Sequence, residues 1–351
     1  MSTSEASGDQ SRDGPNGGLA VTGAPVFVVG APRSGTTLMR LLINAHPNIA
    51  ISNETHFFPR VYERFASDAA TGWSMAVEFF MQRCSIERPA DYTVSREMLE
   101  NLLEPDYARL LSLPLQQWAI SQGKSRWGEK TPGHVFFTDL LMRFFPDANF
   151  VVMQRDPRAV VASMNRFDLI ASNDAVFNAR LWYDTWTRGK KILCDSVPTP
   201  QRMTVRFEEL ILEPDAVVRR ICDFLGEEFS PAMLRFYETA REVAGAKRQP
   251  NLMQPIGGDP FAWREQLSKR EVSIVEAVCG SVMSELRYEK EGQPLGLTQR
   301  VQVRVKIAYI DAKQFQHRGE RYHPVLYPPF GRLKDSLRAF SAPCRRQPSA
   351  R

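Results

Sequence analysis

Apolar residues fall along the chain in short blocks separated by longer amphipathic stretches. Pro25-Val26-Phe27-Val28-Val29 is a continuous apolar run that ends at a Gly/Pro/Ser cluster, the pattern of a buried strand. Leu38, Leu41 and Leu42 then recur at helical spacing, which predicts a helix from about Thr36. It should stop near His46-Pro47, because a proline disfavours helix in the residue before it. The same order returns twice. Asn149 to Met153 is apolar and is followed by Asp156-Pro157, an N-cap with a first-turn proline, and then by Val160, Val161 and Met164. Met203 to Phe207 reads as a third strand, and Val217, Val218, Ile221 and Phe224-Leu225 mark a helix from Glu213-Pro214 to Gly226. Residues 60–125 mix amphipathic stretches with polar breaks and read as helical. Repeated strand–helix units predict an α/β domain on a parallel sheet.

The two ends depart from this pattern. Residues 1–24 are polar and Gly-rich, too poor in apolar surface to offset the entropy of ordering, and are expected to be a disordered tail. Beyond Leu295, Val301, Val303, Val305 and Ile307 alternate with Arg and Lys, which suits an exposed strand, with a basic helix as the alternative. His323 to Gly331 is rich in proline and aromatics, and the last dozen residues are expected to be disordered. The expected organisation is a tail over 1–24, one domain over 25–295 and a basic appendage over 296–351.

Composition narrows the function. With 43% hydrophobic and 24% charged residues in 351, chain-wide disorder is excluded. The net charge is +5, yet residues 296–351 alone hold twelve Lys/Arg against three Asp/Glu, so the rest is mildly acidic. That argues against a uniformly basic nucleic-acid-binding domain. The five cysteines (Cys84, Cys194, Cys222, Cys279, Cys344) are odd in number, scattered and without a CxxC, and the histidines show no HxxxH. Neither a disulfide framework nor a metal site is predicted. No apolar leader and no run of apolar residues long enough to span a bilayer is visible, so the expected location is the cytoplasm.

The segment richest in chemistry is Gly30-Ala31-Pro32-Arg33-Ser34-Gly35-Thr36-Thr37, between the first strand and the first helix. A glycine-containing turn that enters a helix N-terminus presents backbone N–H groups and the positive dipole end to an anion. Gly30 and Gly35 reproduce the G-x-x-x-x-G spacing of a nucleotide P-loop, but Thr36 stands where the P-loop has lysine. Arg33 is the nearest cation. The plain alternative is a Gly/Pro turn with a Ser/Thr helix cap.

Pro32 to Leu38 resembles the 5′-phosphosulfate loop of sulfotransferases that use 3′-phosphoadenosine 5′-phosphosulfate (PAPS). The run LMRLLINAHPNIAISNETHFFPR is most similar to the tyrosylprotein-sulfotransferase-like group within them. Glu129-Lys130-Thr131-Pro132, FFPDANFVVMQRDPRAVVASM and VRFEELILEPDAVVRRICDFLG continue the likeness over roughly residues 25–290. It implies a P-loop-like three-layer sandwich with a central parallel sheet and helical insertions. It also implies sulfuryl transfer from PAPS to a hydroxyl, leaving adenosine 3′,5′-bisphosphate (PAP), with no metal.

On that resemblance, the site divides into two anion-binding clusters and a reacting centre. Arg33, Ser34, Gly35, Thr36 and Thr37 suit the 5′ end of the donor, whereas Arg155 and Ser163 bind the 3′-phosphate. A guanidinium and a hydroxyl can both donate to phosphate oxygens. The alternative for Arg155 is a surface ion pair. Glu54 is the implied base for the acceptor hydroxyl, with the imidazoles His56 and His134 as alternatives. Lys130, with Arg33 and Thr36 or Thr37, is implied to stabilise charge on the departing oxygen; otherwise it is a lysine at a helix start paired with Glu129. Phe207 occupies a place that is aromatic in the family, as an adenine platform or as a core phenylalanine.

One departure concerns the acceptor. Tyrosylprotein sulfotransferases have a serine two residues before a tryptophan, and here Phe261 precedes Trp263 by two. A small alcohol, phenol, carbohydrate or lipid acceptor therefore stands beside a protein tyrosine. The competing functions are a P-loop kinase-like nucleotide enzyme without the usual lysine, and a binding module that uses the basic tail. That tail could also contact an anionic membrane peripherally.

Overall fold

Five short parallel strands form the centre of the molecule: β1 (Val26–Gly30), β2 (Ile49–Ser52), β3 (Arg126–Lys130), β4 (Asn149–Gln154) and β5 (Arg202–Arg206), in the order β2-β3-β1-β4-β5. The computed structural model describes residues 22–68, 71–87, 105–166, 174–240 and 250–315. Expectations for the extreme N-terminus, for His323 to Gly331 and for the last dozen residues lie outside these. Register aligns Val26 with Gly128 on one side and Asn149 on the other, and Gln154 with Arg206. Parallel pairing places all five carboxyl ends on one edge of the sheet.

Alternate residues of each strand feed two separate cores. Phe27, Val29, Ala50, Trp127, Phe150 and Val152 face one way, while Val26, Val28, Ile49, Ile51, Val151 and Met153 face the other. The helices that cover them are α1 (Thr36–Asn44), α2 (Gly72–Glu87), α3 (Tyr107–Ser121), α4 (Thr138–Phe144), α5 (Pro157–Asn165), α6 (Ala175–Asp184), α7 (Pro214–Leu225) and α8 (Lys269–Glu285). Helices α1 and α7 close the second face; α2 to α6 and α8 close the first. This is the expected three-layer α/β sandwich. Local signals set the boundaries. Asp156 accepts from Arg158 N at the start of α5, Ser268 and Glu271 form a capping box on α8, and Gly226 ends α7 at φ 70°.

Three elements differ from expectation. Strand β3 reads Arg-Trp-Gly-Glu-Lys and carries no apolar run, yet all five residues are buried between β1 and β2. Phe207 does not extend β5; it opens a short helix, Phe207–Leu212. The alternating stretch after Leu295 is the helix α9 (Leu297–Phe315), so the helical alternative holds rather than the exposed strand. Val303 and Ile310 of α9 pack on Val176 and Leu295, and Arg180 of α6 pairs with Asp311 at 3.1 Å. Val303 and Ile310 are seven residues apart, about two helical turns, which puts them on one face of a helix but on opposite faces of a strand. No helix among the described residues is long and apolar enough to cross a membrane.

Candidate active site

Each strand delivers a side chain to the same edge. Arg33 follows β1, Glu54 follows β2, Lys130 ends β3, Arg155 follows β4 and Phe207 follows β5. In an open parallel sheet this edge is where ligands bind.

The Gly30–Gly35 loop is shaped by contacts that exclude side chains. Gly30 has φ 142°, and a Cβ there would lie 2.6 Å from the Met153 carbonyl oxygen. Gly35 has φ 90° and lies so close to the Phe207 ring that a Cβ would overlap it. Ser34 N donates to Ala31 O at 3.2 Å, so this N–H closes the turn instead of facing outward. No side chain caps α1, which leaves the N–H groups of its first turn to the loop's concave side. Ser34 is fully buried and its hydroxyl has no partner among the described residues. Thr36 is buried as well.

The two clusters expected to hold opposite ends of a donor are joined. Arg33 Nε donates to Ser163 Oγ at 3.0 Å, and Arg155 Nη1 donates to the Arg33 carbonyl at 2.9 Å. The Arg155 guanidinium lies 4.0 Å above the Phe207 ring, and its own carbonyl accepts from Trp182 Nε1. Phe207 thus packs against Gly35 at its edge and carries Arg155 on its face. Arg155 makes no ion pair among the described residues, and its buried Nε has no partner there. It is not the surface ion pair of the alternative reading. Burial pushes the Arg155 guanidinium down to about 10; Glu208 opposes this and Arg33 adds to it. Arg33 is lowered too, chiefly by burial, with Glu54 working against the shift. In both, the loss of water outweighs the carboxylates nearby, and the like charge of Arg33 adds to it at Arg155.

The residues expected at the reacting centre lie at the ends of β2 and β3. Lys130, 2% exposed, donates to Glu54 Oε1 at 2.5 Å and to Thr37 Oγ1 at 3.5 Å. It stands at a strand end and pairs with Glu54, not with Glu129 at a helix start. Glu54 keeps 31% of its side chain exposed, and its other oxygen lies 3.1 Å from His56 Nε2. Burial acts to raise the Glu54 carboxyl. The Lys130 charge and the His56 and Lys130 hydrogen bonds outweigh it and hold the group well below the usual carboxylate range. Arg33 and His56 both adopt positive φ, 65° and 52°, backbone conformations that cost a non-glycine residue energy and concentrate at functional sites.

His134 does not join this group. It is fully buried, with Nδ1 3.0 Å from Glu129 Oε2 and its ring against Phe58 and Phe137. Glu129 is the residue that sequence reasoning missed. Its Oε1 accepts from Thr55 N at 2.8 Å, from Thr55 Oγ1 at 3.0 Å and from the Thr131 hydroxyl. It therefore fixes the turn that carries Glu54. The signal was a carboxylate beside Lys130 inside a strand, where burial demands partners. Farther away, Trp263 is 2% exposed and packs under the Arg158 guanidinium at 4.0 Å, and Phe261 N donates to Asp259.

The α/β sheet thus gathers at one edge a glycine loop that opens α1, with Arg33 before its second glycine and Thr36 where a nucleotide P-loop has lysine, and the Lys130–Glu54 pair. The chain belongs to the sulfotransferase family, whose profile matches residues 25–231. Protein-tyrosine sulfotransferase A of Caenorhabditis elegans is 27% identical over 77% of this chain and 68% of its own length. Protein-tyrosine sulfotransferase 1 of Homo sapiens is 28% identical over 77% and 70%. Among solved structures, the sulfotransferase domain from the curacin biosynthetic pathway aligns with a TM-score of 0.49 at 17% identity, covering 78% of this chain and all of that one.

Proposed function

We propose that the protein transfers a sulfuryl group from PAPS to an acceptor hydroxyl and releases PAP. The observation that carries this reading is the Lys130–Glu54 pair, a buried cation and a part-exposed carboxylate, placed beside Thr37 of the phosphate-cradling loop. The residues present fit a donor with two anionic ends. Arg33 and Arg155 are neighbouring, partly buried arginines, and among the described residues the buried Arg155 Nε and the Ser34 hydroxyl have no hydrogen-bond partner. The donor supplies an S–O bond that breaks as the acceptor oxygen forms its own bond to sulfur. Arg33, Ser34 and the first turn of α1 hold the phosphosulfate end, and Arg155 with Ser163 the 3′-phosphate. Lys130 offsets charge on the departing oxygen, and Glu54 takes the acceptor proton. As Lys130 shares its charge with the donor, its hold on Glu54 weakens and the carboxylate becomes a better base.

The acceptor is a hydroxyl of a small alcohol, phenol, carbohydrate or lipid, or of tyrosine in a protein. The names of the relatives support tyrosine; Phe261, in place of the serine expected before Trp263, favours a different set of contacts at the acceptor. Titration calorimetry with PAP in the absence of metal tests the donor site. Wild type should bind, and Arg33→Ala and Arg155→Ala should each lose most of the affinity. Absence of PAP binding, with ATP and Mg²⁺ binding in its place, would return the chain to the kinase-like reading.

A further inference from the structure

Helix α9 carries apolar residues on two sides. One side, Val303, Ile307 and Ile310, packs on Val176 and Leu295 of the domain. The other, Leu297, Val301, Val305 and Tyr309, is exposed by 81, 52, 64 and 62%. At about 100° per residue, steps of four keep these four on one stripe, and that stripe lies roughly opposite the packed side. Along the helix, Arg300 and Arg304 border the stripe on one flank and Lys306 on the other. All three are exposed. Lys306 is tied to Asp174, and Arg300 Nε donates to Leu295 O, contacts that fix the helix on the domain with its apolar stripe outward.

We propose that this face of α9 is a docking surface for an anionic lipid bilayer, on which the enzyme lies peripherally. An exposed apolar stripe flanked by cations is the arrangement that inserts shallowly at the boundary of headgroups and acyl chains, with Arg304 and the Nη groups of Arg300 placed to meet lipid phosphates while Lys306 stays on Asp174. Charge complementarity extends past the helix, since residues 296–351 hold twelve Lys/Arg against three Asp/Glu while the rest of the chain has an acidic excess. Each cation near such a surface adds to the attraction, and the attraction is screened by salt. The surface is separate from the strand edge that forms the reacting centre, so the proposal stands or falls independently of the donor and acceptor.

The test is flotation of the full chain with phosphatidylcholine vesicles, with and without phosphatidylserine. Binding should require phosphatidylserine, weaken with added salt, and fall about tenfold or more in the Val301→Asp/Val305→Asp variant. PAP titration and the sedimentation behaviour of that variant should match wild type. Failure to float with phosphatidylserine overturns the proposal. So does flotation that the double variant leaves unchanged, which would assign binding to residues 316–351 alone. A concentration-dependent dimer that the double variant abolishes overturns it in favour of a second copy of the chain on this face.

Discussion

Glu54 is pulled in two directions, upward by burial and downward by Lys130 and His56, and the downward pull wins. Lys130→Met removes its largest opponent, so burial should then dominate and raise the carboxyl. The acid limb of kcat/KM against pH should move upward, and the rate should fall by about 10²–10³ from the lost cation. Lys130→Arg should keep the acid limb low. Stability follows the same sign. In wild type the folded value lies below the unfolded one, so Glu54 contributes stability above the unfolded value that is lost as pH falls through the folded value. In Lys130→Met that contribution is gone or reversed. The gap in urea midpoint between the two proteins should therefore be widest near neutrality and narrow in acid. Gly35 makes a second case at this scale. Gly35→Ala places a Cβ against the Phe207 ring at φ 90°, which should cost about 1–3 kcal/mol and weaken PAP binding. Phe207→Leu should recover part of that loss in the double variant and none of the part due to φ, a non-additivity that a double-mutant cycle reads directly.

Strand β3 shows what an element can hide. Its neighbours were legible because Val26 to Val29 and Asn149 to Met153 are apolar on both faces, as a doubly covered parallel strand requires. Arg126, Glu129 and Lys130 break that pattern, and each is tolerated only because the fold supplies partners from distant segments. Arg126 donates to Ala24 O at 2.5 Å, Leu225 O at 2.7 Å and Asn149 Oδ1 at 2.6 Å, and pairs with Glu227 at 3.2 Å. It ties the entry to β1, the start of β4 and the end of α7 to one guanidinium. Arg126→Ala leaves the buried Leu225 carbonyl, the part-buried Ala24 carbonyl and the Glu227 carboxylate without it, and should cost about 3–5 kcal/mol by urea unfolding while sparing the Gly30–Gly35 loop. Arg126→Lys, with fewer donors, should restore only part. Helix α9 was obscured for a different reason. Its alternating Val301, Val303, Val305 and Ile307 belong to two helical stripes, 303 and 307 inward and 301 and 305 outward, and the sum imitates a strand. The motifs of the site were easier to read, because Arg33, Glu54, Arg155 and Phe207 each lie within three residues of a strand end. Their mutual arrangement was not. That Arg33 reaches Ser163 and that Arg155 lies on Phe207 depends on side-chain packing between loops far apart in sequence.

At the scale of the whole molecule, the sheet gathers three cations, Arg33, Lys130 and Arg155, on one edge of a body with an acidic excess. Lys130 has its carboxylate, whereas Arg155 has none among the described residues and loses proton affinity to burial. On the proposed function, the ligand-free protein holds this charge at a cost that a bound anion would offset, a common tension between stability and function. Arg155→Met should accordingly unfold no lower than wild type when PAP is absent, since it relieves a buried charge and a neighbouring like charge and keeps the volume over Phe207. PAP should then separate the two proteins. At a hundred times its Kd a ligand that binds only the folded state adds about 2.7 kcal/mol, so wild type should gain several degrees in Tm and Arg155→Met almost nothing. Because Arg and Lys carry the charge, the gain should persist in EDTA and shrink modestly with salt, buried pairs being screened less than exposed ones. A ligand-free Arg155→Met protein far less stable than wild type would show instead that Arg155 is held for packing, and would remove the main reason for reading this edge as the seat of the donor's 3′-phosphate.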